Sequence, residues 1–144
     1  MAPEINQQSC GTGIPRSRNC QVLRVVDPVE GSLIIKRSLD DLQAGVSRTA
    51  LQNEQRILKR LAGAAGCPRL VRFDLARGEL AVADFGGVPL SQSGLLGHLD
   101  LARFLALSEA LAGIVAAFHG RGVIHKNLNP SNICLLYTSD AADE

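Results

Sequence analysis

Tryptophan is absent from this 144-residue sequence, tyrosine and methionine occur once each, and aromatic residues make up only 3%. The 46% hydrophobic content is therefore mostly aliphatic. No charge of one sign dominates. Fifteen basic and 14 acidic side chains leave a net charge of +1, so nothing in the balance supports attraction to nucleic acid or to a membrane surface. The opening stretch MAPEINQQSCGTGIPRSRNC holds no apolar core of a signal peptide. The most apolar run, LARFLALSEALAGIVAAF, is interrupted by Ser108 and Glu109, so no membrane segment is expected. Cys10, Cys20, Cys67 and Cys134 show neither CxxC spacing nor a dense framework, which fits free thiols and a cytoplasmic location. No internal repeat or low-complexity tract is present. What remains is enough chain for one globular domain with a real core.

Residues 1–18 are polar and rich in Gly, Ser, Arg and Pro, and read as a flexible N-terminus. CQVLRVV (20–26) and GSLIIK (31–36) are β-branched runs around the turn signal DPVEG, which predicts an antiparallel hairpin. VSRTALQNEQRILKRLAG (46–63) has helical apolar spacing, with Ser47 or Thr49 as N-cap, Lys59 and Arg60 late, and Gly63 as the stop. RLVRFDLARGELAVADF (69–85) predicts a second hairpin turning at ARG. From Asp100, DLARFLALSEALAGIVAAFHGRG predicts a long helix with Leu101, Phe104, Leu105, Leu111, Val115 and Phe118 on one face. Strands, helix, strands and a long helix in that order make an α+β fold with segregated parts.

Two features carry chemistry. Glu54 falls inside the apolar stripe of Leu51, Leu58 and Leu61, where a carboxylate is costly unless a cation meets it. Lys36, closing the apolar run LIIK, is the candidate partner. The alternative is a half-exposed Glu at the stripe edge and a lysine snorkelling from a strand end. The second feature is HKNLNPSN (125–132), which follows the long helix. His98 and His119 stand alone and read as structural or surface residues.

HKNLNPSN resembles the protein-kinase catalytic loop H-R-D-x-x-x-x-N, with His125 and Asn132 at matching spacing. Lys36 is similarly placed to the family's strand lysine (V-A-I-K) and Glu54 to its helix glutamate, 18 residues on. More narrowly, ADFGGVPL, FHGRGVIHK and NPSNI resemble the N-terminal kinase domain of large bacterial proteins that also carry an AAA-type ATPase and a sensor histidine kinase. The likeness covers roughly residues 20–133. It implies a truncated two-lobed kinase-like fold: a partial domain over 19–133, with a small lobe at about 19–85, a hinge at about 83–90 and the start of a large lobe at 91–133. It also implies ATP and Mg²⁺ as cofactors, and phosphoryl transfer to protein Ser/Thr. The partners implied are a protein substrate or downstream domains of the same parent chain. Lys36 then holds the α/β-phosphates, positioned by Glu54; Val82 is the gatekeeper, and the Ala83 and Phe85 backbones face adenine. His125 supports the loop, and Asn132 binds magnesium.

Position 127 departs from the pattern. The family's Asp accepts the substrate hydroxyl proton there, and Asn127 has no useful basicity. An active kinase and a pseudokinase scaffold therefore both stand. A small-molecule phosphotransferase with an H-G-D-x-x-x-x-N loop fits Lys126 and NPSN less well. Asp84-Phe85-Gly86 spells the magnesium motif D-F-G but precedes the loop, so it is read as hinge and not as a metal site. Gly11 and Gly13 suggest a phosphate-cradling glycine loop, yet Arg16 stands where the third glycine belongs.

The closing stretch CLLYTSDAADE (134–144) matches the translation of a transposase-based sequencing-library adapter, and is expected to have no packing role. Without Asp140, Asp143 and Glu144, 15 basic residues face 11 acidic ones, a charge of +4. On this reading the chain is a fragment, inactive by itself, because no D-F-G follows its catalytic loop.

Overall fold

The computed structural model describes residues 20–39 and 44–136. Its elements run β1 (Cys20–Asp27), β2 (Gly31–Ser38), α1 (Ala44–Arg60), β3 (Leu70–Asp74), β4 (Glu79–Ala83), β5 (Val88–Pro89), α2 (Leu101–Gly120) and β6 (Cys134–Leu135). The first four strands form one antiparallel sheet in the order β1-β2-β4-β3. This is an α+β architecture, as the pattern predicts. The suspected glycine loop at Gly11 and Gly13 lies outside the described residues.

Both hairpins form where turn chemistry closes them. The Asp27 carboxylate accepts the backbone N–H groups of Val29 (2.9 Å) and Glu30 (3.0 Å), and Gly31 takes the left-handed φ of +81° that ends the turn. Asp74 accepts the Arg77 N–H (3.0 Å) in the second hairpin, and Gly78 supplies φ +60°.

The period of two along the strands gives the sheet two apolar faces. Leu80 and Val82 of β4 join Cys20, Leu51 and Leu58 in the core beneath α1, with Ile34 packed against it. Leu33, Ile35 and Ala81 alternate to the opposite face. On that face Glu79, almost buried, is held by Arg37, its cross-strand neighbour, at 2.9 Å and by Arg72 at 3.4 Å.

The helix α1 begins earlier than its sequence suggests. Ser47 and Thr49, expected at the N-cap, lie within it, and the Thr49 hydroxyl donates back to the Gly45 carbonyl (2.9 Å). Thr accepts that interior position because its hydroxyl can satisfy itself on the preceding turn. At the other end Gly63, at φ +74°, lies just past the helix as expected.

Asp100 caps α2 by accepting the Arg103 N–H (2.8 Å). The expected apolar stripe is buried only at its C-terminal end, where Phe118 meets Leu61 and Val123, with Ile114 and Ile57 alongside. Gly66 makes that approach possible: a Cβ there would stand 2.6 Å from the Ile114 side chain. Arg121 then reaches back and donates to the Leu61 (3.0 Å) and Ala62 (3.2 Å) carbonyls. A cation on carbonyls just past the C-terminal end of α1 is favoured by hydrogen bonding and by the helix dipole. This clamp fixes the segment after α2 against α1.

The N-terminal part of the stripe is open, with Leu101, Phe104 and Leu105 all more than half exposed. By length and composition α2 is also apolar enough to cross a membrane, with Arg103 and Glu109 on it. An exposed apolar face of this kind promotes self-association in water. Replacing Phe104 and Leu105 together by glutamine is expected to lower light scattering at a given concentration, with Tm almost unchanged because neither side chain is in the core. Unchanged scattering would show that the face is not the sticky one.

One expectation needs correction. The adapter-like stretch 134–144 is expected to have no packing role, yet Cys134 and Leu135 pair with Pro89 and Val88 as a two-stranded ladder. Backbone pairing of this kind asks little of side-chain identity. Residues 137–144 lie outside the described residues.

Candidate functional site

The sheet's pleat decides where Lys36 points. It shares a face with Ile34, two residues before it, and that face lies under α1. Helical spacing carries Glu54 down from α1 between Leu51 and Leu58, both buried. The two side chains meet: Lys36 Nζ lies 2.5 Å from Glu54 Oε1, with side-chain exposures of 31% and 34%. The pair is therefore half-buried. Lys36 retains two further N–H donors and access to solvent, so an anion can approach it without displacing Glu54. Cys20 sits close by in the core, where burial raises its thiol pKa; Lys36 opposes that shift and Glu54 reinforces it.

Val82, opposite Ile34 in the ladder, is buried on the same face. After it the chain leaves the sheet in ordered steps. The Ala83 N–H donates to the Arg69 carbonyl and the Asp84 N–H to the Ser32 carbonyl, both at 2.9 Å. Among the described residues nothing accepts the Phe85 N–H, and the Phe85 ring is half exposed.

Asp84 has a structural task. Arg24 lies 2.6 Å from its carboxylate, the Ser32 hydroxyl donates to it at 2.9 Å, and the Gly86 N–H at 3.0 Å. Burial alone would raise its pKa, but these donors and the Arg24 charge outweigh it and hold the carboxyl below its usual value. A carboxylate so engaged ties β1 and β2 to the end of β4. Among the described residues no group of three His, Cys, Asp or Glu side chains could hold a metal ion.

The segment 125–132 is a closed polar loop. His125 Nδ1 accepts the Asn127 N–H (3.3 Å), so its ring braces the loop. Asn132 Nδ2 donates to the Asn127 carbonyl (2.9 Å), and Asn129 Nδ2 donates to Asn127 Oδ1 (3.0 Å). Asn129 Oδ1 in turn accepts the Ser131 N–H (3.0 Å). Lys126 adopts φ +63°, the one left-handed non-glycine among the described residues. The loop is anchored by Ser91 N–H to the Pro130 carbonyl (3.0 Å) and Leu90 N–H to the Ile133 carbonyl (2.7 Å).

The anticipated residues therefore form two sets, Lys36 with Glu54 and His125 with Asn127 and Asn132; among the described residues no hydrogen bond or ion pair joins the sets. Reasoning from sequence gave no role to Asn129 or Arg121. Asn129 carries a readable signal, since Asn two residues before Ser131 favours an Asx turn. Arg121 carries none, because its acceptors lie about 60 residues away.

Neither a protein-family model nor a curated protein matches the chain.

Proposed function

We propose that residues 20–133 are a protein-kinase-like nucleotide-binding unit in which Lys36 engages the phosphates of ATP. The observation that carries this reading is the Lys36–Glu54 ion pair, a cation held by a carboxylate at the sheet–helix junction with donors to spare. Glu54 fixes the ammonium group in place, which lowers the entropy lost when phosphate binds. Val82 would form the wall behind adenine, and the Phe85 N–H and Ala83 carbonyl would meet its edge.

The magnesium reading fits in part. Asn132 spends its amide N–H on the Asn127 carbonyl, which leaves its side-chain oxygen as a ligand for a hard cation. Among the described residues no cluster of three His, Cys, Asp or Glu side chains is available to hold the ion, so Mg²⁺ would be carried chiefly by the nucleotide's own phosphates. Bound there, it would neutralise phosphate charge.

In the active reading the product is a phosphorylated Ser/Thr of a protein. The second reading, a nucleotide-responsive scaffold, is favoured by one specific observation. Asn127 is neutral, and its side-chain oxygen already accepts the Asn129 amide, so it cannot take up a hydroxyl proton. Both readings require nucleotide binding. MgATP at about 100 times its Kd adds about 2.7 kcal/mol to the folded state. An upward shift of several degrees in Tm with MgATP, and none with Mg²⁺ alone, is the expected result; no shift at millimolar MgATP would sink both readings.

A further inference from the structure

Charge accounting across the described residues leaves six cations without a carboxylate partner, three of them in one region, with Arg48 and Lys59 outside it. Seven of the eight described carboxylates are paired: Asp27 with Arg72, Glu30 with Arg69, Glu54 with Lys36, Asp74 with Arg77, Glu79 with Arg37 and Arg72, Asp84 with Arg24, and Asp100 with Arg103. Arg121 is spent on carbonyls at the end of α1. Arg56, Arg60 and Lys126 have no carboxylate partner among the described residues, and they line the same groove.

That groove, of about 510 Å³, runs between the outer side of α1 and the segment after α2. Ile57, Val123 and Ile124 supply its apolar part, and no acidic or aromatic side chain lines it. Its shape is held by the Arg121 clamp and by the burial of Val123 against Phe118 and Leu61. Lys126 is presented from a left-handed backbone position, a strained geometry that persists only where surrounding contacts enforce it. Single solvated arginines on a helix mean little; two arginines and a lysine lining one concave, partly apolar surface raise the local positive potential.

We infer that this groove is a docking site for an acidic protein segment, one in which Asp or Glu residues flank an aliphatic side chain. The carboxylates would pair with Arg56, Arg60 and Lys126, while the aliphatic group covers Ile57 and Ile124. The absence of any aromatic platform in the lining disfavours single-stranded nucleic acid, which needs stacking as well as charge. This inference does not depend on nucleotide binding at Lys36.

The test uses the whole chain and a fluorescein-labelled decapeptide carrying two leucines among Asp and Glu, followed by fluorescence anisotropy. Saturable binding is expected, weakening as salt rises from about 50 to about 200 mM. Arg56→Glu together with Arg60→Glu should weaken it by at least about tenfold, since two attractions become repulsions. Both side chains are exposed, so Tm should hold and loss of fold cannot mimic the result. The idea is overturned if the peptide does not bind, if the reversed variant binds it equally, or if a version with serine for leucine binds as well. Complete displacement by millimolar inorganic phosphate would also overturn it, pointing to a bare oxyanion site. A dimer dissolved by the charge reversal, without peptide binding, would give the groove to a second copy instead.

Discussion

Asn127→Asp is expected to raise phosphoryl transfer by roughly 10²–10⁴-fold, the usual worth of a positioned general base, in a protein that joins these residues to a magnesium-binding D-F-G segment. The loop should accept the change without rearrangement. The contacts that position 127 makes through its side chain and carbonyl are as an acceptor, from Asn129 Nδ2 and Asn132 Nδ2, and its backbone N–H still reaches His125. A carboxylate keeps those bonds and strengthens the one to Asn129 by its charge. Nucleotide affinity should stay nearly constant, because the substitution adds a base and removes no phosphate contact. Steady-state rates at saturating ATP and magnesium, with Tm as the fold control, check this. A gain supports a catalytic unit impaired at one atom; no gain with ATP still bound favours the scaffold reading.

Lys36→Ala should weaken MgATP binding by roughly 10- to 100-fold, the loss expected for a charge-assisted contact of about 1.5–3 kcal/mol. Its effect on stability should be far smaller. Both Lys36 and Glu54 are about one-third exposed, so the orphaned carboxylate can hydrate, and solvent screening limits the pair to about 1 kcal/mol or less. That contrast separates a functional lysine from a structural one. A large fall in Tm with unchanged nucleotide affinity would assign the pair to the fold alone.

How much of this was legible in the sequence depends on how local the signal is. The two hairpins were readable because strand alternation and Asp-anchored turns lie within a few residues of one another. Glu54 was readable for the opposite reason, as a carboxylate that breaks an apolar stripe and so demands a partner. The start of α1 was misjudged because Thr49 bonds the preceding turn as readily as it caps a helix. The β5–β6 ladder was missed because two residues of backbone pairing leave no periodic trace. Periodicity identifies the apolar face of α2 but says nothing of what covers Leu101, Phe104 and Leu105. The basic groove depends on Arg121 reaching α1 and on which carboxylates other arginines consume, both of which are long-range facts.

The central claim is that Lys36, held by Glu54, binds nucleotide phosphate. Calorimetric titration of MgATP into the unmodified chain, Lys36→Ala, Glu54→Ala and the double variant tests it most directly. Glu54 acts through the lysine, so each single change should weaken binding and the double variant should be no worse than Lys36→Ala. Saturable binding of equal affinity in the unmodified chain and in Lys36→Ala would contradict the claim.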